Sequence, residues 1–132
     1  MEFATTLLGD DADVMAPDGS EVRLLCQTPR GSMAHFTLPA GAVSKAVAHR
    51  TVEEVWFFLR GSGRMWRRLE DQEEIVGVTV GTSLTIPVGS HFQFRNDGDT
   101  PLEIVATTMP PWPGPDEAFF VDGVWVDGTR KA

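Results

Sequence analysis

The chain carries three histidines, His35, His49 and His91, and one of them stands close ahead of a carboxylate, Glu54. Imidazole nitrogen and carboxylate oxygen are the donors that suit Fe, Mn, Ni, Zn and related ions. Glu53 precedes Glu54, and neighbours in a strand face opposite ways, so only one carboxylate of the two enters a shared site. Paired carboxylates of the glycosidase kind are therefore not supported. A serine triad is not supported either, since neither Ser83 nor Ser90 sits on a nucleophile elbow. Cys26 is the single cysteine. It lies in the run Leu24-Leu25-Cys26 and reads as a small buried residue, with no partner for an intrachain disulfide or a multi-cysteine zinc site.

The elements that must hold these groups are strands. Turn signals recur at Asp18-Gly19, Pro29-Arg30-Gly31, Pro39-Ala40-Gly41, Gly61-Ser62-Gly63, Gly81, Pro87-Val88-Gly89 and Asn96-Asp97-Gly98. Short runs rich in Val, Phe, Leu, Ile and Trp lie between them, the pattern of an all-β sandwich or barrel. No window keeps an apolar period of 3.6 over three turns. Strands are predicted near residues 21–28, 32–38, 44–48, 53–59, 64–69, 73–78, 82–86, 91–95 and 102–108. Residues 1–17 give a weak signal and are expected to add an edge strand at most. The proline-rich segment 109–115 cannot lie in a central strand, because proline lacks the ladder donor, so it is a rigid loop. Residues 119–126 are expected to return and pack on the outside.

Strand alternation puts Glu54, Trp56 and Phe58 on one face. Phe92 and Phe94 alternate with His91, Gln93 and Arg95, so the set that turns inward decides whether the lumen is apolar or polar. Trp56, Phe58, Phe92 and Phe94 are candidates to line an apolar pocket, with Gln93 and His35 as further pocket residues. Plain core packing is the competing account for these rings. Trp112, in the proline-rich loop, could cap such a pocket or join two copies.

The 132 residues, 42% of them hydrophobic, form one expected domain over residues 1–132. A net charge of −8 argues against nucleic-acid partners, whose phosphates need Lys and Arg. Arg60, Arg64, Arg67 and Arg68 are followed by Glu70, Asp71, Glu73 and Glu74, which reads as a solvated hairpin of mixed sign. The longest wholly apolar stretch, Val55 to Leu59, is too short for a bilayer of roughly 30 Å, so no membrane partner is expected. The start Met1-Glu2 has no basic region of a signal peptide, which leaves the cytoplasm as the expected compartment.

Two glycine-bounded segments bear on the site together. Gly41, His49, Glu54 and Gly61 span the first, and Gly81, Pro87, Gly89 and Asn96 span the second. In residue type and spacing these positions resemble the two motifs of the cupin superfamily. That resemblance implies a jelly-roll (double-stranded β-helix) barrel with a metal or ligand site inside, and commonly a homodimer. It implies His49 as a metal ligand and Glu54 as another, with His91 the nearest residue able to supply a third. Two positions depart from the motifs: Val47 stands where the first metal histidine would be, and Phe92 where the second motif has its histidine. His91 lies one residue early, which would turn it out of the barrel unless a bulge swings it back. Three functions stay open. The first is a divalent-metal enzyme of oxygenase, isomerase or lyase type using His49, Glu54 and His91. The second is a metal-free barrel binding a small ligand, and the third is a structural barrel with a filled lumen.

Overall fold

The computed structural model describes residues 2–129. Strands β1 (Val14–Met15), β2 (Glu21–Thr28) and β3 (Gly31–Leu38) come first, then the short β4 (Ala42–Val43) and β5 (Val47–His49). They are followed by β6 (Glu53–Arg60), β7 (Ser62–Leu69), β8 (Gln72–Thr79) and β9 (Ser83–Ile86). Next come β10 (His91–Asn96) and β11 (Leu102–Met109), a 3-10 turn at Pro115–Glu117, β12 (Ala118–Phe120) and β13 (Gly128–Thr129). No helix among the described residues is long and apolar enough to cross a membrane.

One sheet runs β1-β2-β3-β11-β6-β9. The other runs β12-β5-β10-β4-β13, with β7 also paired to β10 and β8 to β7. All these pairings are antiparallel, and the two sheets face each other as the jelly-roll barrel that the sequence predicts. The chain crosses from one sheet to the other between β6 and β7, at Gly61. There φ is +87°, and a Cβ would lie 2.8 Å from the Pro101 carbonyl oxygen, so a side chain is doubly excluded.

The predicted strand over 44–48 is two short strands instead. At the break the Ser44 hydroxyl accepts from the Phe94 amide at 3.0 Å, while the Ser44 amide donates to the Phe94 carbonyl at 2.9 Å. A serine side chain thus replaces one rung of the ladder. The weak N-terminal signal resolves into β1, a two-residue edge strand on β2. Cys26 is half-buried rather than enclosed.

Alternation builds the core. On β6, Glu54, Trp56 and Phe58 are buried while Val55, Phe57 and Leu59 stay on the outer surface. On β10, Phe92 and Phe94 turn inward to join Met65, Ile86, Ile104 and Ala106. Trp56 lies at the centre, edge-on to Phe36 at 5.4 Å, Phe92 at 5.7 Å and Phe94 at 5.2 Å. Each such burial stabilises by about 1.5–3 kcal/mol, with about 0.5–1.5 kcal/mol more per aromatic pair.

Gln93 faces the other way, yet it is also buried, because residues 121–126 cross over it. Its amide nitrogen donates to the Ser44 and Trp125 carbonyls, each at 2.9 Å. Its carbonyl oxygen accepts from the Val124 and Trp125 amides, each at 3.0 Å. Of the segment 119–126 expected to pack outside the barrel, Phe119 and Phe120 instead extend the second sheet as part of β12 beside β5, while Val124 and Trp125 lie over the outer face at Gln93.

Candidate functional site

Register brings the polar residues of the lumen to one end. Glu54, near the start of β6, stands opposite Thr108 on β11 and opposite Ile86 on β9. Its Oε1 accepts from the Trp56 indole N–H at 3.0 Å, and its Oε2 accepts from the Thr108 hydroxyl at 2.5 Å. Both donors are buried, so the carboxyl group is held in one orientation. His49 closes β5, and its Nδ1 lies 3.9 Å from Glu54 Oε1, too far for a hydrogen bond. The imidazole is instead wedged between two rings, edge-on to Phe92 at 5.3 Å and to Trp112 at 5.1 Å. Its Nδ1 is buried without a hydrogen-bond partner.

Backbone contacts fix that imidazole's place. The Gly89 amide donates to the His49 carbonyl at 3.1 Å, tying the turn before β10 to the end of β5. From the other side Arg50 donates its amide to the Glu117 carbonyl at 2.9 Å. The Glu117 carboxylate accepts from the Thr51 amide at 2.6 Å, from the Val52 amide at 3.1 Å and from the Thr51 hydroxyl. These bonds anchor the proline-rich loop over the barrel end, and the Trp112 amide adds a bond to the Ser32 hydroxyl at 3.1 Å. Trp112 thus caps the site.

Burial governs the electrostatics. It lowers the His49 pKa below 6.5, against the charges of Glu117 and Asp18, which act to raise it. Burial raises Glu54 above 4.5, although the Thr108 and Trp56 hydrogen bonds oppose the rise. Asp18 is buried and raised for the same reason, with its Oδ1 accepting from the Ser20 amide and hydroxyl and the Glu54 charge adding to the shift. Burial also pushes Glu117 up, but its bonds to Thr51 and Val52 outweigh that and hold it below 4.5. The His49–Glu54 pair is thereby biased toward a neutral imidazole beside a carboxyl group that resists ionisation.

Arg67 joins this end of the barrel, and nothing in its sequence context marks it out from the other hairpin arginines. It stands opposite Phe92 in the β7–β10 ladder, so the two side chains share a face. Its guanidinium donates to the Thr85 carbonyl at 2.9 Å and pairs with Glu74, while its Nε is buried without a partner. A cleft of about 660 Å³ runs beside it, between the β7–β8 hairpin and the loop 87–90, with Thr85, Pro87 and Ser90 in its wall.

The other predicted residues divide. Trp56, Phe58, Phe92 and Phe94 all face the lumen, but as packed core rings. His91 does not join His49 and Glu54: the ladder sets Phe92 inward against His49, so His91, one residue earlier, is turned to the outer face and is only half-buried. Gln93 is likewise on the outer face, with its amide saturated by the returning segment. His35 is on the outer face of β3, opposite Val105, and its Nε2 lies 3.1 Å from Glu103 Oε1. Among the described residues, no group of three His, Cys, Asp or Glu side chains comes together in a way that could hold a metal ion. The donor set predicted for a divalent metal thus does not fit this barrel: Val47 and Phe92 stand as apolar residues where the missing donors would be.

A double-stranded antiparallel β-helix with a polar cluster at one mouth defines the class. Residues 34–108 match the cupin domain family, and the chain belongs to it. A protein of Methanocaldococcus jannaschii, MJ1618, is 30% identical over 100 residues, covering 72% of this chain and 77% of its own length. Among solved structures, recombinant oxalate oxidase in complex with glycolate superposes with a TM-score of 0.72 at 20% identity, over 89% of this chain and 62% of that one. BH2720 of Bacillus halodurans gives a TM-score of 0.64 at 19% identity, over 70% of this chain and 72% of its own. At these identities the two structures share the fold.

Proposed function

We propose that this chain is a small-molecule-binding cupin whose ligand is received at the His49–Glu54 end of the barrel, without a three-residue metal centre. The observation that carries this reading is the His49 imidazole: its Nδ1 is buried and unpartnered, while Phe92 lies edge-on to it at 5.3 Å. A buried polar atom without a partner costs about 1–3 kcal/mol, a cost that a bound ligand removes by hydrogen bonding to it. The rings of Phe92 and Trp112 supply apolar contact, and Arg67 Nε offers a second unused donor on the same face as Phe92. An apolar site with a few fixed polar groups is the usual character of a small-molecule pocket.

The resemblance also implies metal-dependent oxygenase, isomerase or lyase activity. His49 and Glu54 alone are two donors and His91 faces away, which leaves that chemistry without its ligand set.

The test is a thermal-shift screen of small metabolites against the parent chain and His49→Gln, with elemental analysis of the same preparations. Compounds that stabilise the parent and lose their effect in His49→Gln, with far less than one metal per chain, are the expected result. One Fe, Mn, Ni or Zn per parent chain, lost in His49→Gln, would overturn the reading.

A further inference from the structure

Arg67 spans the seam between the two sheets. It leaves β7 on the face that it shares with Met65 and Leu69. Its guanidinium reaches the edge strand of the other sheet, where Nη1 donates to the Thr85 carbonyl at 2.9 Å. That bond fixes the plane of the group. The Nε–H and one Nη2–H point the same way along another edge, the arrangement that grips a carboxylate with two parallel bonds. Only half of this edge is used. Glu74 meets Nη2 through one oxygen, while Nε is buried without a partner.

Glu74 is a replaceable partner. It stands opposite Arg67 on β8, a strand paired, among the described residues, with β7 alone. Its side chain is 56% exposed against 19% for Arg67. An ion pair open to solvent on one side adds little stability, so Glu74 can turn outward at small cost. Beside the pair lies the cleft of about 660 Å³, with Leu69 and Pro87 as apolar contacts in its wall. The loop 87–90 links this cleft to the His49 end: Pro87 and Ser90 line the cleft, and the Gly89 amide donates to the His49 carbonyl at 3.1 Å.

We infer that the ligand of this barrel end is a small monocarboxylic acid with an apolar body, whose carboxylate displaces Glu74 and takes both Nε and Nη2 of Arg67. The inference rests on the reading that a small molecule is received at this end, and it names the class of that molecule. An unsatisfied N–H calls for an acceptor, not for a cation, and a carboxylate satisfies both N–H groups of the edge at once. Charge limits the ligand to one such group. Asp71 and Glu73 also stand in the cleft wall and the chain carries a net −8, so a polyanion is repelled. Glu74 is then an internal stand-in that occupies the guanidinium until the acid arrives.

The test is calorimetric titration of the full chain at neutral pH with acetate, benzoate and phenylacetate, each against its neutral amide. At least one acid is expected to bind the parent while its amide does not. Arg67→Gln should weaken that acid roughly tenfold to hundredfold, and Arg67→Lys should also weaken it, because an ammonium lacks the paired edge. Glu74→Gln, at an exposed position, should tighten it about two- to fivefold by removing the competitor, and this arm decides the matter if the Arg67 variants do not fold. Acids and amides that bind alike, a Glu74→Gln variant that binds no better than the parent, or no acid bound by either chain would overturn the inference. His49→Gln separates it from the reading beneath it. Binding lost in His49→Gln but kept in folded Arg67→Gln strikes the Arg67 assignment alone, whereas binding lost in Arg67→Gln but kept in His49→Gln strikes the His49 end as the receiving site.

Discussion

The ring of Phe92 stands edge-on to the imidazole of His49, with centroids 5.3 Å apart and planes at 78°. Val47, whose Cα is directly opposite that of Phe92 across the β5–β10 ladder, completes an apolar wall on the same side. One phenyl and one isopropyl group thus stand at the two positions where the family resemblance would place metal-binding imidazoles.

Replacing both, Val47→His with Phe92→His, should assemble three imidazoles beside the Glu54 carboxylate. Binding near one divalent ion per chain is expected in the double variant and far less in the parent, read by elemental analysis after anaerobic Fe(II) or Zn(II) addition. A folded double variant that takes up no metal would show that the backbone, and not these two side chains, forbids the site.

Stability should bend with pH in two opposed ways. His49 has a lowered folded pKa, so the unfolded chain binds the proton more readily. Its contribution is complete above the unfolded value of 6.5 and is lost as pH falls toward the folded value. Glu54 is raised, so its contribution is complete below 4.5 and is lost as pH rises through the folded value. Melting temperatures across pH should show His49→Gln flattening the acid limb and Glu54→Gln flattening the opposite one. Unchanged slopes in both variants would mean that neither group titrates differently on folding.

Glu117→Ala should loosen the cap. It leaves the Thr51 and Val52 amides without their carboxylate acceptor, costing about 1–3 kcal/mol of unfolding free energy in denaturant titrations. Because the same residue anchors the loop that carries Trp112, the emission maximum should move to longer wavelength as that indole gains water. Loss of stability with no spectral change would separate the cap from the anchor.

Gln93→Leu removes an amide that makes four hydrogen bonds and should cost about 2–4 kcal/mol. Gly123→Ala should act on the same contact from outside, since a Cβ there would lie 2.3 Å from Gln93 Oε1. Limited proteolysis should cut both variants within residues 121–126 before the parent. Equal resistance in Gln93→Leu would show that packing, not the amide, holds the segment.

The barrel was legible because its signals are local and periodic. Alternation along 53–60 names the inward set of β6, and the glycines and prolines at Gly61, Pro87 and Gly89 mark turns that the structure makes. The site was legible only in part. His49 and Glu54 could be named from spacing, and the one-residue offset of His91 already warned of its direction. Gln93 read as a pocket residue because sequence cannot show that a segment some thirty residues later covers it from outside. Arg67 and Glu117 gave no signal: their roles arise from contacts with β10 and with the loop after β5, both distant in sequence.

The clasp on Gln93 also ties the covering segment to the register of β10. Residues 121–126 can latch only if an amide side chain lies beneath them, and β10 offers one there only when it is aligned correctly with its neighbours. A slip by one position would present Phe92 or Phe94 to the Val124 and Trp125 amides, which a phenyl ring cannot satisfy. The register that places Gln93 beneath this segment is also the one that turns the rings of Phe92 and Phe94 inside.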